Sequence, residues 1–181
     1  MTDEELMLDA KAGKLDGISV LYERYHTRLY NFFLQQTHDQ SQSKDLTQIV
    51  FERVIKYRGK YVQQGRFTAW IYAIARNVHL DLYRKKREDL PGAAVIHAIA
   101  DSQIEENNDR EEDIYHLEKA MKYLRPEQRE LIWLSRYEKL KYAEIAHILG
   151  STEGAVKVKI HRSMKDLKTQ FFKIRQHELG R

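Results

Sequence analysis

Apolar residues that recur every three or four positions, in segment after segment, constrain this chain more than any other feature. From Ser19 the stripe Leu21, Tyr22, Tyr25, Leu29, Phe32 and Phe33 has the period of a long amphipathic helix ending near Gln36. Thr2 and Glu5, at capping-box spacing, predict a short helix before it, from about Asp3 to Ala12. The polar run Thr37 to Ser43 reads as a loop. A second strong helix follows, with Leu46, Val50, Arg53, Val54 and Tyr57 on one side and Asp45, Gln48, Glu52 and Ile55 on the other. A third starts at Phe67 and buries Phe67, Ile71, Ile74, Val78 and Leu82. With 8 Gly, 2 Pro and no runs of alternating apolar and polar residues, a β-rich fold has little support, and the chain is expected to be all-α.

The face of the third helix opposite its core stripe interleaves cations and rings. Helical geometry points Tyr72, Arg76, His79, Leu80 and Tyr83 outward, with Asn77 and Arg84 at the margins. Such a stripe offers rings on which bases stack and cations for phosphates. The other reading packs its tyrosines against a neighbouring helix.

Between Glu88 and about Asp113 the helical pattern stops, at LPGAAV and then the acidic DSQIEENNDREED. The net charge of +4 hides an uneven distribution: residues 1–90 carry 15 Lys and Arg against 12 Asp and Glu, residues 91–118 carry 1 against 8, and residues 119–181 carry 15 against 7. Two basic helical domains, 1–90 and 114–181, joined by a flexible acidic linker over 91–113, are therefore expected. About 25 extended residues reach at most about 80 Å, enough to let the domains sit apart on one partner. Basic blocks of this kind suit a polyanion, although charged helix faces are more often simply solvated. Cysteine is absent, which excludes disulfides and thiolate chemistry. No apolar run approaches a membrane span, and MTDEELMLDA lacks the pattern of a secretory leader, so a cytoplasmic protein is expected.

In the last third, Ile114, Leu117, Met121 and Leu124 make one helix and Pro126 opens the next, LRPEQRELIWLSRY. Tyr142, Ile145, Ala146 and Leu149 then form a two-turn helix that Gly150 ends, and Thr152 caps a new one. On that last helix Val156, Ile160, Met164, Leu167 and Phe171 form the core face. Val158, Arg162 and Lys165 lie opposite, with Lys157, Lys159 and His161 toward the sides. A helix–turn–helix with this outer face suits the major groove: Arg162 for guanine, Lys157 and Lys159 for phosphates, Val158 for a thymine methyl. An ordinary helical hairpin with a solvated basic face fits the spacing as well.

Five segments in order, LYERYHTRLYNFF, SKDLTQIVFERVIKY, GRFTAWIYAIARNVHLDLYRKKR, LRPEQRELIWL and YAEIAHILGSTEGAVKVKIHRSMKDLK, resemble regions 2 and 4 of the sigma-70 family in its small extracytoplasmic-function (ECF) group. The resemblance covers nearly all of the chain outside the acidic connector. It implies a sigma factor without catalysis, metal or cofactor, whose region 2 helical bundle docks on the β′ clamp helices of core RNA polymerase and captures the non-template strand of the minus-ten element. Region 4 would dock on the β flap and read the minus-thirty-five duplex. Carried over by position, Asp45, Gln48, Phe51 and Glu52 would contact core polymerase. Lys60, Tyr61, Tyr72, Arg76 and Asn77 would meet the minus-ten strand, Tyr61 and Tyr72 as stacking candidates, though Tyr61 fits a packing role equally. Lys157, Val158, Lys159, His161 and Arg162 would read the minus-thirty-five element. Ser151 departs from the family's usual apolar residue, and Val158 from a small polar one. The cluster Arg84, Lys85, Lys86 and Arg87 suits duplex phosphates or simply complements a helix end. An anti-sigma factor is an expected partner. The acidic connector, through Glu105, Glu106, Glu111 and Glu112, is a candidate shield for the basic faces in the free protein.

The main rival is a conventional helix–turn–helix regulator that binds duplex DNA without polymerase, and its amino-terminal helices would sense or dimerise. An enzyme is more distant, because the 8 His are scattered without HExxH-type spacing.

Overall fold

The computed structural model of the chain describes residues 1–63, 65–89 and 109–179, the side chains of 85–89, 109–111 and 179 excepted. A capping box opens α1 (Asp3–Lys11): the Thr2 hydroxyl accepts from the Glu5 N–H at 3.2 Å, and Glu5 Oε2 accepts from the Thr2 N–H at 2.7 Å. Helix α2 (Asp16–Thr37) begins at Asp16, ahead of Ser19 where its apolar stripe starts. Its first turn lies against α1 so closely that a Cβ on Gly17 would stand 3.0 Å from Leu6 Cδ2. Helix α3 (Gln40–Tyr57) begins inside the segment expected to be a loop. Two local features shorten that loop: His38 takes a left-handed φ of 55°, and the Asp39 carboxylate accepts from the Gln42 N–H at 2.9 Å. A 3₁₀ turn (Arg58–Lys60) leads toward α4 (Phe67–Asp89), whose first N–H, that of Phe67, donates to Glu4 Oε1 at 2.8 Å.

Of the predicted connector, residues 90–108 lie outside the described residues, and 109–113 belong to α5 (Asp109–Lys122). After it come α6 (Pro126–Ile132), a wide π turn (Trp133–Tyr137), α7 (Tyr142–Leu149) and α8 (Glu153–Leu179). LRPEQRELIWLSRY is thus not one regular helix. Its winding widens at Trp133, where the Glu138 N–H reaches back to the Trp133 carbonyl at 3.1 Å.

Helices α1 to α4 form a bundle around Leu21, Tyr25, Leu29, Phe33, Leu46, Val50, Val54, Phe67, Ile71 and Val78, all buried. Each such side chain contributes roughly 1.5–3 kcal/mol by leaving water. In the second half α5, α6 and α7 pack on α8, with a small core of Ala120, Met121, Leu124, Ile132 and Leu167. The two halves do not stand apart. Helix α2 packs on α6 and α4 on α7, and one continuous core runs from the first bundle through Trp133, Leu134, Ile145, Val156 and Ile160.

Candidate nucleic-acid interface

Gly150 ends α7 at φ 60° and ψ 43°, the left-handed region where a side chain is strained, and the Ser151 N–H closes the turn on the Ala146 carbonyl at 2.9 Å. Ser151 therefore serves the turn through its backbone. Thr152 starts α8, its hydroxyl accepting from the Ala155 N–H at 3.2 Å. Because Val156, Ile160 and Leu167 turn inward, Lys157, Val158, Lys159, His161 and Arg162 are all exposed, Val158 by 49%. Lys157, Lys159 and Arg162 make no ion pair with any described residue. Three uncompensated cations around an exposed apolar residue form a face able to hold phosphates and reach base edges.

In the first half the rings of Tyr61 and Tyr72 take the packed alternative over the exposed one. Tyr61, for which base stacking and packing were equally open, is only 1% exposed, in a packed position. Its ring meets Trp70 edge-on at 5.2 Å, and its carbonyl accepts from Lys11 Nζ at 2.7 Å. Burial first, then the charges of Glu4 and Asp3, push its phenol up to about 12. Tyr72, expected to point to solvent, is 0% exposed, and Arg76 and His79 beside it are half-buried and buried. The part of this face around Tyr72 and Arg76 is covered by α6, the π turn and α7, whereas Leu80 farther along is exposed. Ala75, fully buried between Tyr72 and His79, is the small residue that could have signalled this second packing face. Lys60 and Asn77 are exposed, the Lys60 ammonium lying 5.3 Å from the centre of the Tyr57 ring. Arg84 is exposed beside Asp81 at 2.7 Å, whereas the side chains of Lys85, Lys86 and Arg87 lie outside the described residues, as do those of Glu105, Glu106 and Glu111.

On α3, Asp45, Gln48 and Glu52 are exposed, with the Gln48 amide donating to Glu52 Oε1 at 3.2 Å. Phe51 is not on that surface. It is 6% exposed and lies under Tyr22, their rings 4.8 Å apart. The exposed apolar groups of this region are instead Tyr22, which stacks on His26 at 5.0 Å, and Ile55. The sequence reading assigned Tyr22 to the core because it shares the stripe of Leu21 and Tyr25.

The halves meet through a polar network. Glu138 pairs with Arg28, the Tyr72 hydroxyl donates to Glu138 Oε1 at 2.7 Å, and the Trp133 indole donates to that hydroxyl at 3.3 Å. Burial and then the Glu138 charge raise the Tyr72 phenol far above its ordinary value. Arg76 Nε lies 3.3 Å from Glu130 Oε1, an ion pair without hydrogen-bond alignment. Burial lifts Glu130 to about 7, against the pull of Arg76 and helped by Glu127. The buried Arg129 guanidinium ties the turn between α5 and α6 to the end of α2, donating to the carbonyls of Leu124 at 2.6 Å and Gln36 at 3.5 Å. Burial pulls its pKa down.

Among the described residues no helix is long and apolar enough to cross a membrane, and no cluster of three or more His, Asp or Glu could hold a metal.

Comparison with known proteins finds two family models, "Sigma-70 region 2" over residues 21–88 and "Sigma-70, region 4" over residues 116–167. The RNA polymerase sigma factor SigZ of Bacillus subtilis is 31% identical over 154 residues, 84% of this chain and 85% of its own. The ECF RNA polymerase sigma factor BldN of Streptomyces coelicolor is 30% identical over 172 residues, 90% of this chain but only 63% of that longer protein. In fold, the chain is similar to the sigma factor RpoE solved in complex with the anti-sigma factor NepR from Bartonella quintana, with a TM-score of 0.70 at 21% identity over 84% of this chain and 94% of that one.

Proposed function

The chain belongs to the sigma-70 family of RNA polymerase sigma factors, in its ECF group, and from that premise we propose that it binds core RNA polymerase and directs it to promoters it reads at two places. The observation that supports this best is the outer face of α8. Lys157, Val158, Lys159, His161 and Arg162 stand exposed on the second helix of a tight helix–turn–helix, where a minus-thirty-five duplex would lie.

Asp45, Gln48 and Glu52 on α3, with the exposed Tyr22 and Ile55 nearby, are the surface proposed for the β′ clamp helices. Region 4 would take the β flap. Lys60 and Asn77 face solvent where the non-template minus-ten strand would run. Unstacking a base costs a few kcal/mol and stacking on an aromatic ring returns about 1–3, so melting needs protein contacts that favour the open strand. Domains 1–90 and 114–181 would each bind DNA weakly, and mounting both on one polymerase raises their effective concentration. This function belongs to the cytoplasm, under the control of an anti-sigma factor.

Mixing the full chain with core polymerase and running transcription on a genomic fragment library tests the proposal. Co-elution with the enzyme and discrete promoter-dependent transcripts are expected. A chain that does not co-elute, or initiates nothing, overturns it. Duplex binding of equal strength without polymerase would favour the conventional regulator.

A further inference from the structure

Helix α1 is short, yet two of its side chains reach the segment that joins the 3₁₀ turn to α4. The Lys11 ammonium donates to the Tyr61 carbonyl at 2.7 Å, and Glu4 Oε1 accepts from the Phe67 N–H at 2.8 Å. A third tie runs through α2: the Tyr25 hydroxyl donates to Asp3 Oδ2 at 2.6 Å and lies 2.8 Å from the Thr68 hydroxyl, in the first turn of α4. The helix that makes these contacts is itself fixed. Its capping box closes the first turn, Leu6, Met7 and Ala10 are buried in the bundle, and Arg24 pairs with Asp3 at 2.6 Å.

These ties pinch a loop. Tyr61 and Phe67 are separated by a stretch of chain that extends to about 20 Å. Their ring centres nevertheless lie only 6.2 Å apart. With the ends held together the residues between them turn outward: Val62 is 57% exposed, and Gln63, Gly65 and Arg66 are exposed as well. Glu4 and Lys11 stand about two turns apart on α1, roughly 10 Å along its axis, so one rigid rod carries both holds.

We propose that α1 braces this loop, with Glu4 and Lys11 as positioning residues that set how Val62 and Gln63 meet the minus-ten strand beside Lys60. Each acts through the backbone of a loop residue rather than by touching DNA. A carbonyl and an N–H are what the ends of a loop offer whatever their side chains, so the holds fix its shape without using the groups that face the strand. A loop already kept in one conformation gives up little freedom on binding, and its contacts then count toward affinity and toward discrimination between bases. Loosened, the same loop would accommodate several bases about equally well.

The brace is a property of the free chain, whereas its effect on promoter reading rests on the sigma-factor proposal. Lys11→Met keeps the aliphatic stem and removes the charged donor, and Glu4→Ala removes the acceptor. In the complex of the full chain with core polymerase, fluorescence anisotropy reads binding of a labelled single strand that carries the minus-ten element of a promoter recovered from the fragment library. The same strand with one base exchanged at a time measures discrimination. Each variant should bind the parent strand on the order of tenfold more weakly, because a hydrogen bond to a charged group is lost, and should narrow the gap between parent and exchanged strands. Binding of a duplex that carries only the minus-thirty-five element should not change. Lys11→Arg and Glu4→Gln, which retain a donor and an acceptor, should recover most of the loss, a rescue that a general folding defect does not predict. In the free chain, nuclear magnetic resonance should show the Phe67 amide proton exchanging with water about tenfold faster in Glu4→Ala, while that of Val78, in the middle of α4, keeps its rate. An unchanged Phe67 rate overturns the brace. Equal weakening at both promoter elements, or an undiminished preference for the parent base, overturns its role in positioning the loop. If the unmutated complex ignores the minus-ten strand, the sigma reading falls and this role with it, while the exchange rates still decide the brace.

Discussion

Replacing Gly150 by alanine isolates one torsional cost in the helix–turn–helix. The residue sits at φ 60°, and a Cβ built there meets no atom within 4 Å, so crowding plays no part. What remains is the strain of an L-residue in the left-handed region, about 1–2 kcal/mol. Alanine also removes unfolded-state freedom, worth about 0.4–1 kcal/mol in the opposite direction. The net expectation is a loss of about 1 kcal/mol. With a urea dependence near 2 kcal/mol per molar, the unfolding midpoint should fall by about 0.5 M. Asparagine tolerates this region, so Gly150→Asn should lose about half as much. Urea unfolding followed by circular dichroism on the three proteins measures both differences. Equal losses for alanine and asparagine, or a loss above about 3 kcal/mol for alanine, would refute the torsional argument.

Glu130 provides a pH test. Its folded-state pKa, about 7, lies above the ordinary value of 4.5, so the folded chain holds this proton more tightly than the unfolded chain. The stabilisation is fully present below 4.5 and is lost as pH rises through about 7. Glu130→Gln should remove that slope from a series of urea midpoints, and an unchanged slope would contradict the assignment. The Tyr61 hydroxyl is buried without a partner among the described residues. Tyr61→Phe should therefore be neutral or slightly stabilising, whereas Tyr61→Ala should cost about 3–5 kcal/mol, both read from unfolding midpoints. In the reconstituted polymerase complex, Arg162→Ala should cost about 1–3 kcal/mol and relax preference at one base pair. Lys157→Ala should weaken binding evenly across sequences and lower the salt slope by about one, as filter binding at several salt concentrations would report.

The parts of this fold legible in the sequence are those whose cause is local. The stripes of α2, α4 and α8 need only a core on one side, and the turn at Gly150 and Thr152 is written in two residues. For the same reason the exposure of Lys157, Val158, Lys159, His161 and Arg162 follows from the inward face of α8. The start of α3 was hidden because QSQSK carries no apolar residue, and its helix depends on the Asp39 cap. For Tyr72 and Arg76 the choice between solvent and a neighbouring helix stayed open for a different reason. Helix α4 has two packing faces, and the second is lined by residues that also suit water, so periodicity alone cannot tell a wet stripe from a polar seam. Phe51 and Tyr22 exchanged expected roles because both rings lie at the boundary between α2 and α3, where a small rotation decides which one covers the other.

The five residues from Trp133 to Tyr137 determine more than their own geometry. In an ordinary α-helix, side chains five positions apart diverge by about 140°, since each residue turns through about 100°. The widened winding brings the indole of Trp133 and the carboxylate of Glu138 round to the same phenol. Deleting a single residue there would leave both flanking helices intact yet swing the acid away from its arginine. The relative pose of the two lobes is thus encoded as a count of residues per turn, a setting that substitution scans would miss and that length variants would expose.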